Sequence, residues 1–136
     1  MSQENVEVLR RANAAFNTGD IEGFLEFAAE DIEVEDLKNA PDFPPVAKGK
    51  DALRASLVAW TEAFVGGFTG EIVEYLDVDE HHVACVVHYL GKEPRSGMEV
   101  DFKSVDIWEI RDGKLIRGKV SFPDRESAVR GMGLSE

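Results

Sequence analysis

The chain has 136 residues, 43% hydrophobic and 31% charged, which is the balance of a folded globular domain and not of a disordered one. Its net charge of −12 and pI near 4.6 argue against nucleic acid or an anionic membrane as partner. One cysteine, Cys85, leaves no internal disulfide, the polar start Ser2-Gln3-Glu4-Asn5 is no signal peptide, and no apolar run approaches the ~18 residues of a membrane span. The expectation is one cytoplasmic domain over residues 1–136.

Val6, Leu9, Asn13 and Phe16 recur at spacings of three and four and predict an amphipathic helix over about residues 4–17, stopped by Asn17-Thr18-Gly19. Asp20 is a good N-cap for a second, short helix with Ile21, Phe24, Leu25 and Ala28 on its buried stripe. Ile32 to Leu37 reads as a short strand. Residues 38–48, with Pro41, Pro44 and Pro45, read as irregular. Leu53, Leu57, Trp60 and Phe64 predict a third helix over about residues 50–65, which Gly66, Gly67 and Gly70 end. Four strands follow at Glu71–Val78, Val83–Leu90, Met98–Ile110 and Leu115–Phe122. Asp112-Gly113 is a hairpin signal between the last two, and Asp124 is the cap for a closing short helix. Helices first and consecutive antiparallel strands afterwards predict an α+β domain, its helices on one face of a curved sheet with room for an apolar cavity.

Two carboxylates break apolar faces. Side chains two apart share a face of a strand, so Asp106 points with Val100, Phe102, Ser104, Trp108 and Ile110. An unpaired carboxylate there is costly, so Asp106 is paired, protonated, or facing a cavity that uses it. Asp36 shares the parity of Ile32 and Val34 at a strand end. It is either a solvated turn residue or a general base at a pocket mouth. If the two meet, the more buried stays protonated and donates a hydrogen bond, while the other accepts a proton. Asn13 lies on the buried seam of the first helix, where a polar group needs a partner or a ligand. Phe16, Trp60, Phe64, Phe102 and Trp108 are core residues that would wall any surviving cavity. His88, with the parity of Ala84, Val86 and Leu90, is a core histidine or a pocket residue. His81 and His82 belong to a turn. No metal-ligand spacing, nucleophile elbow or phosphate loop is present in the sequence.

Three segments, Ala14-Ala15-Phe16-Asn17-Thr18-Gly19-Asp20, Val34-Glu35-Asp36 and Asp106-Ile107-Trp108-Glu109-Ile110-Arg111-Asp112-Gly113-Lys114, resemble the SnoaL-like and ketosteroid isomerase-like families of the nuclear transport factor 2-like superfamily. The resemblance implies a cone: a strongly bent antiparallel sheet wrapped around three helices, enclosing an apolar pocket, often in a homodimer. It implies cofactor-independent, metal-free proton abstraction beside the carbonyl of a small apolar compound, of isomerase or cyclase type, or binding without turnover. Asp36 falls where ketosteroid isomerases place their general base, and Asp106 where they place a protonated oxyanion-hole aspartic acid. Their second donor, a tyrosine, would fall at Ala12, whose side chain donates nothing. Asn13 is adjacent but about 100° around the helix. Asn13, Phe16, Trp60, Phe64, His88, Phe102 and Trp108 are the expected substrate contacts.

Overall fold

The computed structural model describes residues 3–37, 45–64, 67–92, 96–97 and 99–134. The chain runs α1 (Gln3–Asn17), α2 (Ile21–Leu25), β1 (Ala28–Asp36), β2 (Val46–Lys48), α3 (Lys50–Ala63), β3 (Phe68–Asp77), β4 (His82–Lys92), β5 (Glu99–Arg111), β6 (Lys114–Phe122) and α4 (Arg125–Gly131). The local signals act where expected. Gly19 ends α1 at φ 77°, and Asp20 Oδ1 caps α2 by accepting from the Gly23 N–H at 2.9 Å. Asp112 and Gly113 both take positive φ (52° and 74°), the geometry of a tight hairpin turn between β5 and β6. Asp124 Oδ1 accepts from the Ser127 N–H at 2.8 Å and starts α4.

The sheet has six strands in the order β2-β1-β6-β5-β4-β3, curled and left open between the β2 and β3 edges. It differs from the expectation of a wholly antiparallel sheet in one pair, because β1 and β6 run parallel. These two strands are far apart in sequence, so no hairpin dictates their relative direction. Strand β1 also begins at Ala28, four residues before Ile32. Ala28 pairs with Leu115, and the Leu115 N–H donates to the Phe27 carbonyl at 2.7 Å. Its polar Glu30 and Asp31 mask this in the sequence, at the place where the register shifts. The 38–48 segment, expected to be irregular, contains β2, a short edge strand paired with β1 through Val34 and Ala47. Residues 38–44 of that segment lie outside the described residues.

Helices α1–α3 lie on the inner face, where Leu9, Ala12, Leu25 and Leu53 pack with Ile32, Val83, Cys85, Val87, Trp108 and Ile110. The outer face has its own apolar cluster. There Ala128 of α4 and Met132 just after it cover Ala84, Val105, Ile107 and Phe122. Among the described residues no helix is long and apolar enough to cross a membrane.

One polar clasp joins α1 to the sheet. Asn17 treats Gly70 of β3 as a neighbouring strand would: its Oδ1 accepts the Gly70 N–H at 2.8 Å and its Nδ2 donates to the Gly70 carbonyl at 2.9 Å. Asn13 Nδ2 donates to the same carbonyl at 2.9 Å. Gly70 lacks a side chain for a reason: a Cβ there would lie 2.8 Å from Cε1 of Tyr89, the residue across the ladder. The clasp therefore fixes the strand against which the Tyr89 ring rests. Asn17→Ala should cost about 2 kcal/mol in urea unfolding, since it strands the buried Gly70 N–H. Asn13→Ala leaves both Gly70 groups partnered and should cost less than half as much.

Candidate small-molecule site

The inner face encloses a cavity of about 280 Å³. Its walls follow from strand parity. β4 contributes Cys85, Val87 and Tyr89, and β5 contributes Val100, Phe102, Asp106 and Trp108. The helices add Leu9, Asn13, Phe16, Phe24, Leu57 and Trp60, so the lining is apolar and aromatic apart from a few polar groups. Asp36 and Asp106 line this one cavity, the first half-buried and the second 2% exposed.

Strand β6 brings the two carboxylates together from either side. Asp36 lies opposite Val120 in the parallel pair, while Asp106 faces the stretch of β6 between Lys119 and Phe122. Their backbones are thus two strand spacings apart, about 10 Å, on a concave surface that turns side chains toward each other. A β-bulge sits at this point. Val105 pairs with Phe122 and Ile107 with Lys119, so Val120 and Ser121 together face Asp106. Ser121 takes a left-handed φ of 76°, which directs its N–H to Asp106 Oδ1 at 2.9 Å.

Asp106 is held as an acceptor. Ser121 N–H and Ser104 Oγ (3.1 Å) donate to Oδ1, and the Tyr89 hydroxyl donates to Oδ2. Burial raises its pKa, the three donors oppose this and the nearby Asp36 charge adds to it, so that the value goes from 3.8 to about 6 in all. The shift runs in the direction that favours the neutral carboxyl, and the three donors limit it. Tyr89 is pushed well above the ordinary phenol range by burial first, then by the charge of Asp106 and the hydrogen bond to it. Burial, and then the Asp106 charge, also push the Cys85 thiol well above its ordinary range.

The expected contacts divide. Asn13, Phe16, Trp60, Phe102 and Trp108 line the cavity, and Asn13 also has the partner its buried position demanded, the Gly70 carbonyl. His88 does not line it. It stands on the outer face, where Nε2 bonds Asp101 Oδ1 at 2.7 Å, because the inward parity of β4 is the odd one. Both faces of β4 are apolar, since α4 covers one, so alternation could not say which points inward. Phe64 is displaced too. It follows the last residue of α3 and stacks behind Trp60 at 5.2 Å, away from the main cavity. Tyr89 is absent from the residues the sequence singles out; it shares the parity of Cys85 and Val87, and that parity alone did not say which face looks inward. It lines the cavity from β4, whereas Ala12 of α1 is fully buried and is not among the lining residues.

A curled sheet carrying three helices on its inner face, with an apolar cavity between, defines the cone-shaped α+β folds. The chain belongs to the SnoaL-like family, whose domain model matches residues 9–118. No curated protein matches it. Among solved structures it is similar to Bal32a from a soil-derived mobile gene cassette, with 24% identity, a TM-score of 0.79, and coverage of 90% of this chain and 91% of that one. It is also similar to TerC co-crystallised with polyporic acid (20%, 0.76, 95% and 97%) and to RV0760c from Mycobacterium tuberculosis in complex with estradiol-17beta-hemisuccinate (16%, 0.76, 88% and 93%). At these identities the likeness shows the fold.

The raised Asp106 pKa means that the folded protein holds this proton more tightly than the unfolded chain. That stability is complete below about pH 4, the unfolded value, and is lost as pH rises through about 6. The difference is on the order of 3 kcal/mol. The unfolding free energy of the wild type minus that of Asp106→Asn should therefore fall by roughly this amount between about pH 4 and pH 8. A difference that stays constant across urea titrations would mean that Asp106 does not titrate in this window.

Proposed function

We propose that the protein is a cofactor-independent acid–base enzyme that abstracts a proton beside the carbonyl of a small apolar compound held in the cavity. The observation that carries this reading is that Asp36 and the Tyr89–Asp106 pair face one apolar space. Asp36 is the base. As it takes the α-proton, the electron pair moves toward the carbonyl oxygen, and the developing enolate oxygen needs a donor. Tyr89 is that donor when Asp106 carries a proton. Oδ1 is committed to Ser104 and Ser121, so the proton resides on Oδ2. It donates to the Tyr89 oxygen and frees the phenolic hydrogen for the ligand. Phe102, Trp108 and Trp60 form the wall against the apolar body. The family match and the small molecules bound in similar structures support this class of function. A homodimer in the cytoplasm is the setting the resemblance implies. Val73 and Leu90, exposed on the outer face of β3 and β4, offer apolar surface for it.

One observation favours a second reading, ligand binding without turnover. With Asp106 ionised, the Tyr89 hydrogen is committed to Asp106, and the cavity then recognises a ligand without activating it.

Exchange of α-protons for deuterium in a panel of apolar ketones, followed by NMR, separates the two. Asp36→Asn should slow exchange by about a hundred-fold or more, and Tyr89→Phe by a similar factor. Wild-type exchange should decline as pH rises through about 6. Asp106→Asn should retain exchange and lose that pH dependence, because an amide Nδ2 donates to Tyr89 as the protonated Oδ2 does. Exchange at wild-type rates in both Asp36→Asn and Tyr89→Phe would rule out the proposed roles. Binding with no exchange in the wild type would establish the second reading.

A further inference from the structure

A second cavity of about 210 Å³ lies beside the first, between the α1–α2 turn, the last turns of α3 and the first residues of β3. Five side chains line both: Phe16, Phe24, Leu57, Trp60 and Phe68. They form a partition one side chain thick, held by ring contacts: Phe16 meets Phe68 edge-on at 6.0 Å, and Trp60 meets Phe68 at 5.1 Å. Phe16, Trp60 and Phe68 are each partly exposed, so rotamer changes there do not have to break the closed core. The polar chemistry stays on one side, since Asp36, Tyr89 and Asp106 line the main cavity and not the second.

Beyond the partition the lining is mixed, with more apolar than polar surface. Three of its polar side chains are hydrogen-bonded within the protein. Asn17 is bound to both Gly70 groups, Thr18 Oγ1 donates to the Ala15 carbonyl, and Thr61 Oγ1 donates to the Leu57 carbonyl. Phe64 and Ile21 add apolar surface to that of the five shared side chains. We propose that the partition opens and that the second cavity receives the apolar tail of a ligand whose carbonyl head sits at Tyr89 and Asp106. The ligand class is then elongated, unbranched alkyl or acyl carbonyl compounds. This rests on the reading above only in taking the main cavity as the place of the head group.

Methyl n-alkyl ketones of increasing chain length test it by calorimetry. Affinity for the wild type should rise about fourfold per added buried methylene. The rise should continue past the length at which Thr61→Phe and Thr18→Phe level off. These two variants reach the second cavity from the α1–α2 turn and from α3, and neither position lines the main one. For the longest ketones both should bind at least tenfold more weakly than wild type, with the shortest unaffected. The same plateau in all three proteins, equal weakening at every length, or no rise with length in the wild type would each overturn the proposal. Loss of proton exchange with the length effect intact would overturn the catalytic reading and leave this one standing.

Discussion

A buried carboxylate that three strands must satisfy governs this fold. Asp106 is withdrawn from water at a place where an unpartnered charge would cost several kcal/mol. Its oxygens are met by Tyr89 from β4, Ser104 from β5 and Ser121 from β6. Removing any one donor exposes the charge to an apolar cavity, so the register of three neighbouring strands is tied to a single side chain. The bulge in β6 belongs to the same constraint. A regular ladder would spend the Ser121 N–H on pairing; the left-handed Ser121 spends it on Asp106.

The arrangement has a chemical meaning as well. A carboxylate pulled up by burial and down by three donors ends near the pH range in which proteins work, so a modest change in surroundings moves its proton. In the proposed reaction that proton decides whether the Tyr89 hydroxyl donates to Asp106 or to a ligand. The Asn13–Asn17 clasp on Gly70 stabilises the ring from behind, and Phe68 and Phe102 pack beside it at 5.7 and 5.2 Å. Tyr89 is thus positioned by α1, β3 and β5 together.

Much of this was legible from local rules. The caps at Asp20 and Asp124, the Asp112-Gly113 turn and the inward parity of Asp106 each depend on residues a few positions apart, where sequence patterns are strong. The gaps have a common cause, which is dependence on a distant partner. The early start of β1 and the existence of β2 come from pairing with strands far along the chain. The choice of face for His88 and Tyr89 was hidden because α4 makes the outer side of β4 apolar too. That Tyr89 of β4 shares a cavity with Asn13 and Phe16 of α1 is visible only when both elements surround the same space.

The parallel pairing of β1 with β6 has a consequence for how the molecule is made. Asp36 gains its place only when Val120, on the last strand of the sheet, lies beside it. A ribosome must deliver nearly the whole chain before that contact is available, and closing so long a loop is slow. Until then β1 and its companion β2 have no sheet to join, while β3, β4 and β5 can already pair as consecutive hairpins. The half of the cavity carrying Asp106 and Tyr89 can thus be assembled first. The half carrying Asp36 comes last, so a chain cut short before β6 would keep a hairpin sheet and have no two-sided site.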